Sequence, residues 1–198
     1  MTQEPAEQYV IIHGYTANPQ ANWFPWLATE LEKAGATVTV PAMPSPFEPR
    51  LDEWLATVNA TVSPLKGNVT LIGHSLGCVT LLRYLMSCPD TEKIPGYVLV
   101  SGFDRTLSTL PALSSFTEET LDYDALRSRF PFRVSIFSDN DSIVDPKVSR
   151  DLAVSLDTEE IEIPSGGHFL DREGFTQLPA LLQALQKRKE ILNLRQKP

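Results

Sequence analysis

Ser75 lies at the centre of Gly73-His74-Ser75-Leu76-Gly77, between the apolar run Val69-Thr70-Leu71-Ile72 and an amphipathic segment that continues from Leu76. A G-x-S-x-G pattern between a strand and a helix is the context in which a serine hydroxyl is thrust out as a nucleophile. The turn is so tight that the serine must take a positive φ. Gly73 and Gly77 lie two residues to either side, where side chains would collide as strand and helix converge. The helix start offers free N–H groups and the positive end of its dipole to a developing anion. The pattern by itself also fits a plain strand-to-helix turn with a serine N-cap, so the partners decide.

A serine is a weak nucleophile at neutral pH and needs a base. The chain has three histidines: His13, His74 and His168. His74 adjoins Ser75 and is expected to point away from Oγ, and His13 ends the first apolar run. His168, in Ser165-Gly166-Gly167-His168-Phe169, follows the last strand-like run, and the glycines let the backbone carry its imidazole over the elbow. A neutral imidazole needs an acid to fix its tautomer and stabilise its cation. Asp139, Asp141 and Asp145 follow the run Val134-Ser135-Ile136-Phe137, between serine and histidine in chain order. Asp141 is the choice, because Ile143 and Val144 can pack inward and hold its loop. Asp139 is the runner-up, and Asp145, before Pro146, reads as a helix cap. The oxyanion donors are expected at Leu76 N–H, after the nucleophile, and at Tyr15 N–H in His13-Gly14-Tyr15-Thr16. His13 is read as a brace for that loop.

These groups require a scaffold that brings several loops to one edge. Six short β-rich runs read as strands: Tyr9–Ile12, Ala36–Val40, Asn68–Ile72, Gly96–Ser101, Arg133–Ser138 and Glu159–Ile163. Several lack two-residue alternation, as strands buried on both faces do. Segments with helical spacing separate them, around Trp26 to Ala34, Leu51 to Val58, Leu76 to Met86 and Leu178 to Leu185. Such alternation builds a mostly parallel sheet with helices on both faces. Pro41 to Pro49 reads as a long surface loop. Gly102 to Pro131 is the one long connection between strands, with a short helix near Asp122 to Arg129. Phe103, Leu107, Leu110 and Phe116 from that connection are candidates for an apolar pocket wall, with core packing as the equal alternative. The tail from Lys187 reads as the frayed end of the last helix.

At 198 residues, with 42% hydrophobic and 21% charged residues, the chain fits one domain of ordinary globular composition, spanning residues 1–198. Its formal charge of −8 argues against nucleic-acid binding, which needs a basic face, and gives no attraction to anionic membranes. Cys78 and Cys88 fit neither a disulfide framework nor a metal-ligand spacing. The polar N-terminus lacks the features of a signal peptide, and no apolar run reaches bilayer length, so a cytoplasmic protein is expected.

On these residues the chain resembles the small serine hydrolases similar to retinoblastoma-binding protein nine and to the bacterial YdeN proteins. The resemblance covers nearly the whole chain. It rests on His13-Gly14, Asn22-Trp23-Phe24-Pro25-Trp26-Leu27, Pro41-Ala42-Met43-Pro44 with Trp54, the Ser75 elbow, Asp141 with Pro146, and Gly167-His168-Phe169. It implies a compact α/β-hydrolase fold with no large lid, a Ser75–His168–Asp141 triad and hydrolysis of an ester or amide; such an acyl transfer needs no metal or organic cofactor. The retinoblastoma interaction is associated with Leu-x-Cys-x-Glu, whereas this chain has Leu76-Gly77-Cys78-Val79-Thr80, so that partner is not expected. The alternatives are a catalytically weak binding protein, or a thioesterase, cofactor-free haloperoxidase or lyase on the same scaffold.

Overall fold

The computed structural model describes residues 7–65, 68–88 and 93–195, and from 190 to 195 the backbone alone. The N-terminal residues read as leaderless therefore lie largely outside the described residues. Six strands form one sheet: β1 (Gln8–Ile12), β2 (Thr37–Thr39), β3 (Val69–His74), β4 (Gly96–Val100), β5 (Phe132–Ser138) and β6 (Glu159–Ile163). Every pairing is parallel, in the order β2-β1-β3-β4-β5-β6. The helices are α1 (Phe24–Lys33), α2 (Leu51–Val62), α3 (Leu76–Ser87), α4 (Tyr123–Arg129), α5 (Pro146–Leu156) and α6 (Pro179–Arg195). This is the expected α/β architecture.

The apolar runs lack polar alternation because each sheet face has its own core. Val10 and Ile12 of β1, Leu71 of β3 and Leu99 of β4 point into one core, with Trp54 and Val58 of α2, Leu81 and Leu85 of α3 and Leu152 of α5. Their neighbours Ile11, Ile72 and Val98 point into the other, with Leu27 of α1 and Leu181 of α6. At one edge of the sheet, β6 alternates Glu160, Ile161, Glu162 and Ile163 and shows its acids to solvent, which discourages pairing with another strand.

Two element ends and the placement of the pocket-wall candidates differ from the expectations above. β3 runs two residues beyond Ile72, because Gly73 and His74 still pair with Leu99 and Val100; the turn is thereby confined to Ser75. α6 stays helical past Lys187 to Arg195, where a frayed end was expected. Of the four candidates for a pocket wall, Phe103 and Phe116 are fully buried in the core. Leu107 is also in that core and borders a separate hollow behind Asp141, and Leu110 alone lines the cavity at Ser75. The connection holds a 3-10 turn over Pro111–Phe116 and then α4, capped where Asp122 accepts from Ala125 N–H.

Candidate active site

The C-terminal ends of β1, β3, β5 and β6 deliver the loops around Ser75. Ser75 is the single residue between β3 and α3, with φ 54° and ψ −118°. That conformation is essentially reserved for glycine. It is held because Ser75 N–H donates to Val100 O and Ser75 O accepts from Cys78 N–H, both at 2.9 Å. A side chain at Gly77 would overlap the Ile12 carbonyl, and one at Gly73 would lie 2.7 Å from Cys78 Cα. The two glycines thus let β1, β3 and α3 approach closely enough to make the elbow. A Cβ at Gly14 would come within 3.1 Å of Ser75 Cβ, so the loop after β1 passes directly over the serine.

His168 and Asp141 are brought together. His168 Nδ1–H donates to Asp141 Oδ2 at 2.7 Å, with both side chains buried. The other carboxylate oxygen, Oδ1, accepts from Ile143 N–H at 2.8 Å and Val144 N–H at 3.0 Å. Burial pushes this carboxyl up, but the bond from His168, its charge and the two backbone amides outweigh that and hold it below the usual aspartate value. An ionised Asp141 fixes the proton on Nδ1 and leaves Nε2 with its lone pair free. Asp139 is used differently, its Oδ1 accepting from Ser165 N–H at 2.7 Å. Asp145 caps α5 through Lys147 N–H.

The loop carrying His168 is tied from four sides. Asn140 Oδ1 accepts from Gly167 N–H, and Ser138 Oγ donates to Gly167 O. Glu173 Oε2 accepts from His168 N–H at 2.9 Å and Leu170 N–H at 3.1 Å. Asn22 and Asp171 exchange side-chain-to-backbone bonds, pinning the start of α1 to the same loop. Gly167 (φ 55°) and Phe169 (φ 56°) both turn through the left-handed region.

His74 is the fourth tie. Its Nε2–H donates to His168 O at 2.9 Å, and its ring lies edge-on to Trp23 and Phe24. Burial, followed by the neighbouring His168, pushes its pKa down to about 3. Burial likewise pushes the His13 pKa below the ordinary histidine value. Its Nδ1–H donates to Gly14 O and its Nε2 accepts from Met43 N–H, bracing the loop of Gly14 and Tyr15 against the proline-rich segment.

The buried histidines have a consequence for stability. Between about pH 3 and the ordinary histidine value near 6.5, the unfolded chain binds a proton at residue 74 that the folded chain refuses. Stability therefore falls as pH drops through that window. Asp141, with its depressed value, adds a loss only below the ordinary aspartate range, at lower pH. Urea unfolding at pH 7.5 and 5.0 is expected to differ by about 2 kcal/mol from His74 alone, with His13 adding in the same direction. In His74→Gln the difference should shrink by about that amount; an unchanged difference would show that His74 is not a buried neutral group.

Ser75 and His168 line one cavity of about 220 Å³ with Tyr15, Asn22, Leu110, Ile143, Leu170 and Arg172. Neither Tyr15 N–H nor Leu76 N–H donates to another described residue, and Leu76 opens α3, where helix amides lack intrahelical partners. Among the described residues no three His, Cys, Asp or Glu side chains are grouped as metal ligands, and no helix is long and apolar enough to cross a membrane. Nothing in the sequence pattern marks Glu173, Asp171 or Arg172, while Asn22 stands out there only within a motif and His74 only as the neighbour of Ser75.

A parallel six-stranded sheet flanked by helices, with a serine alone in a strained strand-to-helix turn, is an α/β-hydrolase fold. Within that class the chain belongs to the serine hydrolase family, whose model matches residues 9–187, and the protein is a hydrolase. It is 40% identical over 179 residues to the Bacillus subtilis protein YdeN, itself provisionally assigned as a hydrolase; the match covers 90% of this chain and 94% of that protein. The crystal structure of B. subtilis YdeN superposes with a TM-score of 0.89 at 39% identity, covering 92% of this chain and 98% of that one. A carboxylesterase structure from the thaumarchaeon Nitrososphaera shares the fold, with a TM-score of 0.73 at 11% identity over 96% of this chain and 92% of that one.

Proposed function

We propose that the protein cleaves a small ester or amide through an acyl-enzyme, with Ser75 as nucleophile, His168 as general base and Asp141 as the orienting acid. The observation that carries this reading is the 2.7 Å bond from His168 Nδ1 to a buried, ionised Asp141, on the loop that shares a cavity with the strained Ser75. Ser75 Oγ attacks the carbonyl carbon as His168 Nε2 takes its proton. The oxyanion accepts from Leu76 and Tyr15 N–H, and removal of one such donor costs about 2.7–4 kcal/mol of transition-state stabilisation. His168 then gives its proton to the leaving oxygen or nitrogen, and a water activated by the same imidazole releases the acid. No step requires a cofactor. Cys78 and Cys88 are buried thiols, which favours a reducing compartment such as the cytoplasm.

The cavity is smaller than the roughly 300–1,000 Å³ of sites for drug-sized ligands, which points to compact substrates. With p-nitrophenyl esters, kcat/KM is expected to be highest for acetate to butyrate and to fall at least about tenfold by decanoate. A fluorophosphonate should label Ser75 in the folded protein. Labelling without ester turnover would move the reaction to amides, thioesters or a lyase substrate; absence of labelling would leave a binding protein and overturn the proposal.

A further inference from the structure

Arg172 is the one formally charged side chain, histidines aside, among those lining the Ser75 cavity. Its guanidinium has no acidic or carbonyl partner among the described residues. Every other arginine whose side chain is described has one. Arg50, Arg83, Arg105, Arg127, Arg133, Arg150 and Arg188 are in ion pairs. Arg129 bonds to the Leu85 and Cys88 carbonyls.

The two acids beside it are engaged elsewhere. Asp171 accepts from Arg172 N–H and Asn22 N–H, and Glu173 accepts from His168 N–H and Leu170 N–H. These same bonds hold the short turn Asp171–Glu173 in place, so the backbone of Arg172 is fixed relative to His168, four residues earlier. In a chain of formal charge −8, a cation at the cavity with no partner among the described residues is a local exception to a field that repels anions.

We propose that Arg172 selects substrates whose leaving group carries a carboxylate, such as O-acylated hydroxy acids or N-acylated amino acids. The side follows from the mechanism. His168 donates its proton to the departing atom, so the leaving group lies against the His168 loop, and Leu170 and Arg172 of that loop are among the residues lining the cavity. A guanidinium presents parallel N–H donors that match the two oxygens of a carboxylate. The inference rests on the acyl-enzyme reading above.

The test compares 4-acetoxybenzoate with the neutral isostere 4-acetoxybenzamide, for the full-length protein and for Arg172→Gln and Arg172→Lys. Intrinsic ester reactivity cancels when the ratio of the two kcat/KM values is compared between proteins, and so does the fraction of active enzyme. Relative to Arg172→Gln, the unmodified protein is expected to favour the carboxylate by about tenfold, equivalent to about 1.4 kcal/mol. Arg172→Lys should retain part of that preference. Raising salt from about 0.02 M to about 0.5 M should shrink it, because an exposed ion pair is screened. A ratio that differs less than twofold between the protein and Arg172→Gln overturns the assignment while leaving the hydrolase mechanism standing. If Ser75 takes the fluorophosphonate but neither ester turns over, protection from labelling by 4-hydroxybenzoate against 4-hydroxybenzamide reads the same preference, and equal protection overturns it. If Ser75 takes no label, the mechanism fails and this inference fails with it.

Discussion

Ser75→Gly is expected to abolish turnover and raise the melting temperature in the same molecule. Loss of the nucleophile should lower kcat for p-nitrophenyl acetate by at least about 10⁴-fold. The stability gain comes from the backbone. At φ 54° and ψ −118°, a residue with a Cβ is strained by about 1–3 kcal/mol, and glycine is not. Part of that gain is offset, since glycine makes the unfolded chain more flexible by about 0.4–1 kcal/mol. The net expectation is about 1 kcal/mol, or roughly 2–4 °C in Tm for a domain of this size. Ser75→Ala separates the two effects, because it removes the hydroxyl and keeps the Cβ. It should be as inactive as the glycine variant without the rise in Tm. Turnover surviving in either variant would remove Ser75 from the nucleophile's role. Equal melting temperatures would show that the elbow stores no strain.

That strain is legible in the sequence, because the elbow is a local object. Strand, serine, helix and two flanking glycines lie within a few residues, and their sterics follow from spacing alone. The parallel sheet is legible for a related reason: each apolar run serves two cores, and that leaves a recognisable lack of alternation. His168 is reachable by elimination, since the chain has only three histidines and two of them adjoin other elements. The choice of Asp141 over Asp139 rests on the apolar pair after it, and Ile143 and Val144 do donate their amides to Asp141 Oδ1.

Sequence spacing is silent where loops distant in the chain meet. Asn22 and Asp171 bond across 149 residues, and neither residue type announces a partner. Glu173 reads as a surface acid until the His168 amide is seen against it. The same holds for His74, whose donation to His168 O depends on how far β3 extends, and for Arg172, whose guanidinium has no acidic or carbonyl partner among the described residues. Among Phe103, Leu107, Leu110 and Phe116, sequence does not separate core from cavity, because an irregular connection has no periodicity to assign faces.

Asp141→Asn should lower kcat about 10⁴-fold while leaving the fold intact, and the reason lies in how the two carboxylate oxygens are divided. Oδ1 is held by two backbone amides, so in the variant the amide oxygen keeps that side and its NH₂ turns toward His168. Two donors then face each other at the position of the present 2.7 Å bond. The imidazole relieves this by moving its proton to Nε2, so that Nδ1 accepts from the asparagine. The nitrogen that must take the Ser75 proton is then already protonated, and the positive charge formed in the transition state has lost its counter-charge. The loop bonds survive, so Tm should change little. Asp141→Ala differs in a telling way. It leaves the Ile143 and Val144 amides without their acceptor, at about 1–3 kcal/mol for each that stays buried, so it should lose stability as well as activity. Asp139→Asn keeps a carbonyl for Ser165 N–H and should cost less than about tenfold. The comparison is made on kcat and on the rate of fluorophosphonate labelling, with Tm measured alongside. Asp139→Asn falling as far as Asp141→Asn would place the orienting acid at the wrong aspartate. Asp141→Asn retaining more than about a tenth of the activity would mean that His168 does not depend on the carboxylate for its tautomer.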